Sequence, residues 1–160
     1  MDIKDISNEY IRGLVEGEGS FTFHTGRKKS DGRKPKIPAF VISMHIRDKD
    51  LLNKIKQKLG IKNKIYYRPP RMNIQNVVTQ KQYLSERNAI LVVRDFIQLK
   101  DIIIPFFYKK LAGYKGGQFI AWLEKIGNDP DISDRYKSLY RLYKWGVYDK
   151  LPKFTEKFKD

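Results

Sequence analysis

Apolar residues fall at intervals of three and four in some stretches of this chain and at every second position in others. Ser7 followed by Tyr10, Ile11, Leu14 and Val15 has the helical spacing, with Ser7 as N-cap. Gly17 and Gly19 stop that helix. From Ser20 to Thr25 the period changes to two, Phe21 and Phe23 on one face and Thr22 and His24 on the other, which is the pattern of a half-buried strand. GRKKSDGRKPK, residues 26–36, is a basic turn region. A second strand runs from Ile37 to Arg47, with Phe40, Ile42, Met44 and Ile46 toward a core and Val41, Ser43, His45 and Arg47 facing away. Asp48 then caps a helix with apolar positions Leu51, Leu52, Ile55 and Leu59, and Gly60 ends it. Lys64–Arg68 and Ala89–Arg94 read as strands three and four. Residues 69–87 between them hold either a strand near Val77–Gln80 or a long loop. Helices follow near Phe96–Ile103, Gly116–Ile126 and Ser133–Lys144, and the charged tail Lys150–Asp160 reads as loosely docked.

The order is helix, strand, strand, helix, strand, strand, helix, then extra helices. Paired hairpins with helices on one face make an α+β sandwich, and 160 residues suffice for one domain with its own core. We place that core at about residues 7–126, with a C-terminal helical extension from about 127 to 160. The uncovered sheet face then carries Thr22, His24, Lys28, Ser43, His45, Lys64, Tyr66 and Arg68, side chains able to bond base edges and phosphates.

Charge sharpens this picture. Thirty-three Lys and Arg against 18 Asp and Glu leave a net +15, a balance suited to a polyanionic partner whose condensed counterions are released on binding. A lysine-rich surface serving only solubility is the competing explanation. Interleaved aromatic and basic residues (Tyr66, Tyr67, Arg68; Arg135, Tyr136, Lys137; Tyr140, Arg141) suit nucleic acid and amphipathic packing alike. The absence of cysteine excludes disulfides, zinc ribbons and thiol chemistry, and two histidines, His24 and His45, are too few for a histidine-rich metal centre. With no apolar run near the ~20 residues of a membrane span and no signal peptide, the expectation is a soluble intracellular protein.

The residues that demand a special explanation are at the end of the first helix. Gly13 and Gly17 lie four apart on one helix face, where missing side chains let another backbone approach. Each costs about 1 kcal/mol of helix propensity. Glu18 sets a carboxylate against the negative end of the helix dipole, a repulsion that a multivalent cation relieves.

Ile11-Arg12-Gly13-Leu14-Val15-Glu16-Gly17-Glu18-Gly19, followed by Ser20-Phe21, resembles the signature of the LAGLIDADG homing endonucleases, with Glu where the family more often has Asp. FVISMHIRDKDLLNKIKQKLG and IIPFFYKKLAGYKGGQF extend the likeness over roughly residues 7–126. The resemblance implies a saddle-shaped αββαββα fold whose signature helices pack across a two-fold axis. A single-motif chain is then a homodimer, joined through Gly13, Leu14 and Gly17. It also implies a site-specific double-strand DNA endonuclease that uses Mg²⁺, with Mn²⁺ as a substitute, to hydrolyse a long pseudo-palindromic target in intron homing. By position, Glu18 is the catalytic metal ligand and the carbonyl of Gly17 assists it. Glu16 stands where the family's first acid is more often structural. Lys115 matches a pocket lysine that stabilises the transition state, while Met44 stands where relatives often carry glutamine, with His45 and Arg47 nearby to replace it. The DNA-binding set is Thr22, His24, Lys28, Arg33, Ser43, His45, Arg47, Lys64, Tyr66 and Arg68. Rival readings are an intron maturase binding intron RNA, a DNA-binding regulator that does not cut, and a basic structural or ribosome-associated protein; the last leaves the glycine–acid cluster unexplained.

Overall fold

The computed structural model describes residues 6–68 and 87–159. Helix α1 (Asn8–Glu18) opens on Ser7, whose hydroxyl accepts the Tyr10 N–H at 3.0 Å and so satisfies a donor the first turn leaves unpaired. It passes without a loop into β1 (Gly19–Thr25). Glycine is needed at that join, because a Cβ on Gly19 would stand 3.0 Å from the carbonyl oxygen of Val15 and closer still to its side chain. A basic loop, residues 26–35, returns the chain into β2 (Lys36–His45), and a 3₁₀ turn (Ile46–Asp48) leads to α2 (Lys49–Leu59). Gly60 closes α2 with φ 76°, the left-handed geometry glycine adopts without Cβ strain. Strands β3 (Tyr66–Arg68) and β4 (Asn88–Val93) complete an antiparallel sheet of order β1-β2-β4-β3.

After the sheet, α3 (Phe96–Gln98), a π-helical segment (Leu99–Ile103) and α4 (Ile104–Phe107) run head to tail. Helices α5 (Tyr114–Asn128), α6 (Asp134–Lys144), α7 (Val147–Lys150) and α8 (Pro152–Thr155) follow. Directly paired residues share a sheet face, so the register puts Phe21, Phe40, Ile42, Met44, Ala89, Leu91 and Val93 on one side. All are buried, against Val15, Leu52, Ile55, Phe107 and Trp122 from the helices. Phe21 is the hub: its ring centroid lies 5.0 Å from Phe119, 5.3 Å from Phe40, 5.4 Å from Trp122 and 5.5 Å from Phe107. The α+β architecture and order read from the hydrophobic pattern are those observed.

Several local expectations are corrected. The second strand ends at His45, two residues early, because the chain coils at Ile46–Asp48 and His45 Nδ1 accepts the Arg47 N–H at 3.0 Å. Asp48 occupies the N-cap position of α2 without a side-chain capping bond. The third strand is only three residues long, and Lys64 precedes it. The helix expected to end at Ile103 continues to Phe107 and buries Ile104, Phe106 and Phe107. The tail is docked, not loose: Tyr148 and Phe154 are buried with ring centroids 4.8 Å apart, and Asn8 Nδ2 donates to the Phe158 carbonyl at 2.8 Å. Trp122 is buried in the core, whereas Trp145 is 68% exposed. The suggested strand near Val77–Gln80 lies outside the described residues.

Candidate functional site

The site is built where the end of α1 meets the start of α5. Val15 buries one side of the last α1 turn, which turns Gly17 and Glu18 outward into solvent. Among the described residues no hydrogen bond or ion pair engages the Glu18 carboxylate. Glu16 is different. Its two carboxylate oxygens accept the N–H of Gly113, the N-cap residue of α5, at 3.1 and 3.2 Å. The two acids of the motif therefore divide: Glu16 is committed to the fold and Glu18 is open.

Lys115 was expected just before the last core helix; it stands in the first turn of α5, half-buried, two residues beyond the amide that Glu16 holds. Farther along, α5 is fixed to β1. Gln118 Oε1 accepts the Phe21 N–H at 3.3 Å, and Trp122 Nε1 donates to the Thr22 carbonyl at 2.8 Å. The corner holding Glu18 and Lys115 is thus tied directly to the sheet.

Oxygen donors such as the Glu18 carboxylate and the Gly17 carbonyl suit a hard cation. Among the described residues no cluster of three His, Cys, Asp or Glu forms a closed cage. The residues fit an open site, in which water and phosphate oxygens complete the shell of an ion such as Mg²⁺.

On the uncovered face the strand register aligns side chains from three strands into rows: Ser43–Ile90–Tyr66 and His45–Asn88–Arg68, with Thr22 opposite Ala39 and His24 opposite Ile37 farther along. Thr22, His24, Ser43, His45, Tyr66 and Arg68 are brought together as expected. Lys28 and Arg33 are exposed in the 26–35 loop, Lys64 is exposed ahead of β3, and Arg47 is exposed in the 3₁₀ turn instead of on the strand. Met44 is 7% exposed on the core face opposite Ala89, so it is packing and lines no pocket on the open side.

Two residues of this face escaped the hydrophobic pattern. Asn88 sits between His45 and Arg68, one position before the strand expected from Ala89. Arg94 follows β4 on the same parity, and its Nη1 lies 3.5 Å from His24 Nδ1. Burial first, then the Arg94 guanidinium, holds the His24 pKa below the ordinary histidine value. With Nδ1 facing a donor, the proton of the neutral ring belongs on Nε2, which makes it a hydrogen-bond donor. Alternation alone carries Arg94 onto this face; only the pairing with β2 reveals its neighbour.

No helix among the described residues is long and apolar enough to cross a membrane. A sequence search of curated proteins finds no match. Among solved structures, the I-LtrWI LAGLIDADG homing endonuclease bound to target DNA is 29% identical over 74% of this chain and 36% of that one, with TM-score 0.56. LAGLIDADG homing endonuclease I-GzeII in complex with its DNA target shares the fold at 22% identity and TM-score 0.57, over 92% of this chain and 45% of that one. I-SmaMI bound to uncleaved DNA target in the presence of calcium ions does so at 21% and 0.55, over 88% and 44%. The chain spans less than half the length of each of these proteins. A model of the LAGLIDADG endonuclease family matches residues 11–126, which takes in α1 from Ile11 onward, the whole described sheet and the buried part of α5. The chain belongs to the LAGLIDADG endonuclease family.

Proposed function

We propose that this protein is a site-specific double-strand DNA endonuclease that works as a homodimer on a long pseudo-palindromic target. The observation that carries this reading is the Glu18 carboxylate, unpartnered among the described residues, at a corner tied by α5 to the polar sheet face opposite the core. A protein that only bound DNA would gain nothing from a carboxylate aimed toward phosphate. Thr22, His24, Ser43, His45, Asn88, Tyr66, Arg68 and Arg94 meet base edges and backbone, and Lys28, Arg33, Arg47 and Lys64 meet phosphates at the rim.

Glu18 and the Gly17 carbonyl would hold a divalent cation, Mg²⁺ or Mn²⁺. When bound, that ion neutralises charge on the phosphate and favours attack by water. Lys115 faces the developing negative charge from the first turn of α5. The second copy is required because one chain supplies one such corner and a double-strand break needs two. Among the described residues Gly13 and Gly17 are exposed on α1 and Leu14 beside them is half-buried, and a second α1 would pack there. The domain is one unit, with residues 7–126 as its core and the C-terminal helices packed onto it.

The test is cleavage of DNA carrying the insertion site, with and without Mg²⁺, for the wild type and Glu18→Gln. Glutamine keeps the size of glutamate and loses the charge, so cleavage is expected to fall by at least about a thousandfold, or roughly 4 kcal/mol of transition-state stabilisation, while binding in Ca²⁺ survives. A Glu18→Gln protein that cuts at the wild-type rate removes the metal-ligand role. Wild type that binds but never cuts a confirmed insertion-site substrate would favour the RNA-binding maturase instead.

A further inference from the structure

Arg12 and Glu16 are one turn apart on α1, and both reach the joint between α4 and α5. Arg12 is a charged residue only 6% exposed, yet it is fully engaged. Its Nε donates to the Phe106 carbonyl at 2.9 Å, its Nη1 meets Glu9 at 2.7 Å, and its guanidinium lies 4.4 Å from the centroid of the Phe106 ring. Phe106 is in the last turn of the helical run that ends at Phe107, where carbonyls lack helical partners and the dipole is negative. Glu16 makes the converse contact, on the N-cap amide of α5, where N–H groups lack partners and the dipole is positive. Each charge is matched to the pole it touches.

The turn between the two helices is fastened from its other side as well. Lys109 has φ 58°, an uncommon conformation for a residue with a Cβ, and its Nζ meets Asp149 at 2.9 Å. The Tyr108 hydroxyl donates to the same carboxylate at 2.9 Å. Gly113 carries no side chain because a Cβ would come within 2.6 Å of Glu16 Oε2. So α1 grips the turn through Arg12 and Glu16, and the C-terminal extension grips it through Asp149.

We propose that Arg12 and Glu16 form a clamp that fixes the start of α5, and with it Lys115, against the end of α1 that carries Glu18. Glu16 is then a positioning residue and not a metal ligand. This explains why an acid is tolerated near the negative end of its own helix: its charge is used at the positive end of another. The catalytic part of the claim rests on the nuclease reading above; the clamp itself does not.

The experiment compares Glu16→Ala and Glu16→Gln with wild type by two measurements. The first is amide hydrogen exchange at residues 113–116 in the full chain without DNA. The second is cleavage as a function of DNA and Mg²⁺ concentration. Losing a charge-assisted hydrogen bond at the helix start should speed exchange in Glu16→Ala by about tenfold to a hundredfold, and Glu16→Gln, which keeps one acceptor oxygen, should recover most of the protection. In cleavage, kcat should fall in Glu16→Ala by about tenfold or more with KM for DNA and the Mg²⁺ midpoint moved less than about threefold, and Glu16→Gln should again be the milder variant. An equal, large shift of the Mg²⁺ midpoint in both variants would make Glu16 a metal ligand and overturn the proposal. Unchanged exchange at 113–116 would overturn the clamp. Should Glu16→Ala not fold, Gly113→Ala displaces the carboxylate from the other side and is read by the same exchange. A wild type that cuts no DNA but loses protection on Glu16→Ala sinks the nuclease reading and leaves the clamp standing.

Discussion

Replacing Gly13 by alanine sets two effects of opposite sign against each other. Within one chain, a Cβ at Gly13 meets nothing within 4 Å, and the residue is exposed in the middle of α1. Alanine there removes backbone freedom from the unfolded chain and suits the helix better, so the isolated fold gains about 0.8–1 kcal/mol. If the same face packs against α1 of a second copy, symmetry places two new methyl groups in the interface. Overpacking at about 1–3 kcal/mol per site then weakens association by about 2–6 kcal/mol, a loss of affinity of at least about thirtyfold. Sedimentation equilibrium over a range of concentrations reads association, and urea unfolding of the dissociated chain at low concentration reads the fold. The expected result is a chain that unfolds at higher urea and dimerises more weakly. A variant as dimeric as wild type would place the glycine face elsewhere than in the interface, and a monomeric wild type that cuts both strands would remove the dimer altogether.

Other outcomes follow from the same coordinates. If a dimer neutralises on the order of ten phosphates, the log–log salt dependence of binding should have a slope near −9; a nearly flat titration would assign the basic surface to solubility, and Arg94→Ala should make the slope less negative if Arg94 meets phosphate. Phe21→Ala empties the centre of the aromatic cluster and should cost about 3–5 kcal/mol in chemical denaturation, against less than about 1 kcal/mol for the exposed Ile97→Ala. The Lys36–Asp129 pair, 2.8 Å apart, gives a signed pH effect. The Lys36 hydrogen bond, then the Asp131 N–H, holds Asp129 below the ordinary aspartate value of 3.8, so its contribution is present above that pH and is lost as pH falls through the lower folded-state value. The acid limb of the stability curve should therefore be shallower in Asp129→Asn.

Most of the framework was legible in the sequence because it rests on local periodicity. The change from spacing three and four in Tyr10–Val15 to alternation in Phe21–Thr25 marks the α1–β1 junction to within a residue. Gly60 marks the end of α2 through a conformation that other residues avoid. What was misread rests on side-chain contacts that periodicity does not register. Ile46 continues the alternation of β2, yet the chain turns there because His45 offers its ring nitrogen to the Arg47 amide. The tail reads as charged and loosely docked, but Phe154 packs on Tyr148, itself bonded to the Lys100 carbonyl, and Phe158 packs on Phe106 across the fold. At the site, the motif identified Glu18 as the residue to watch. The resemblance already sets Glu16 apart from Glu18 as structural, but the bond that fixes it, to Gly113 97 positions away, leaves no trace in the sequence beyond one more glycine.

The two rows on the open sheet face have a metrical consequence. Residues on one face of a strand recur about every 6.8 Å, twice the rise of about 3.4 Å per residue. Phosphates of one DNA strand also advance about 3.4 Å each along the helix axis. For DNA lying along these strands, the step from the Ser43–Ile90–Tyr66 row to the His45–Asn88–Arg68 row advances two base steps. Neighbouring rows, about 6.8 Å apart, lie just inside the separation of about 7–10 Å beyond which substitutions begin to act independently. On the proposed DNA-binding role, a change of target preference then has to alter a row and its neighbour together, and only rows farther apart can be exchanged as units.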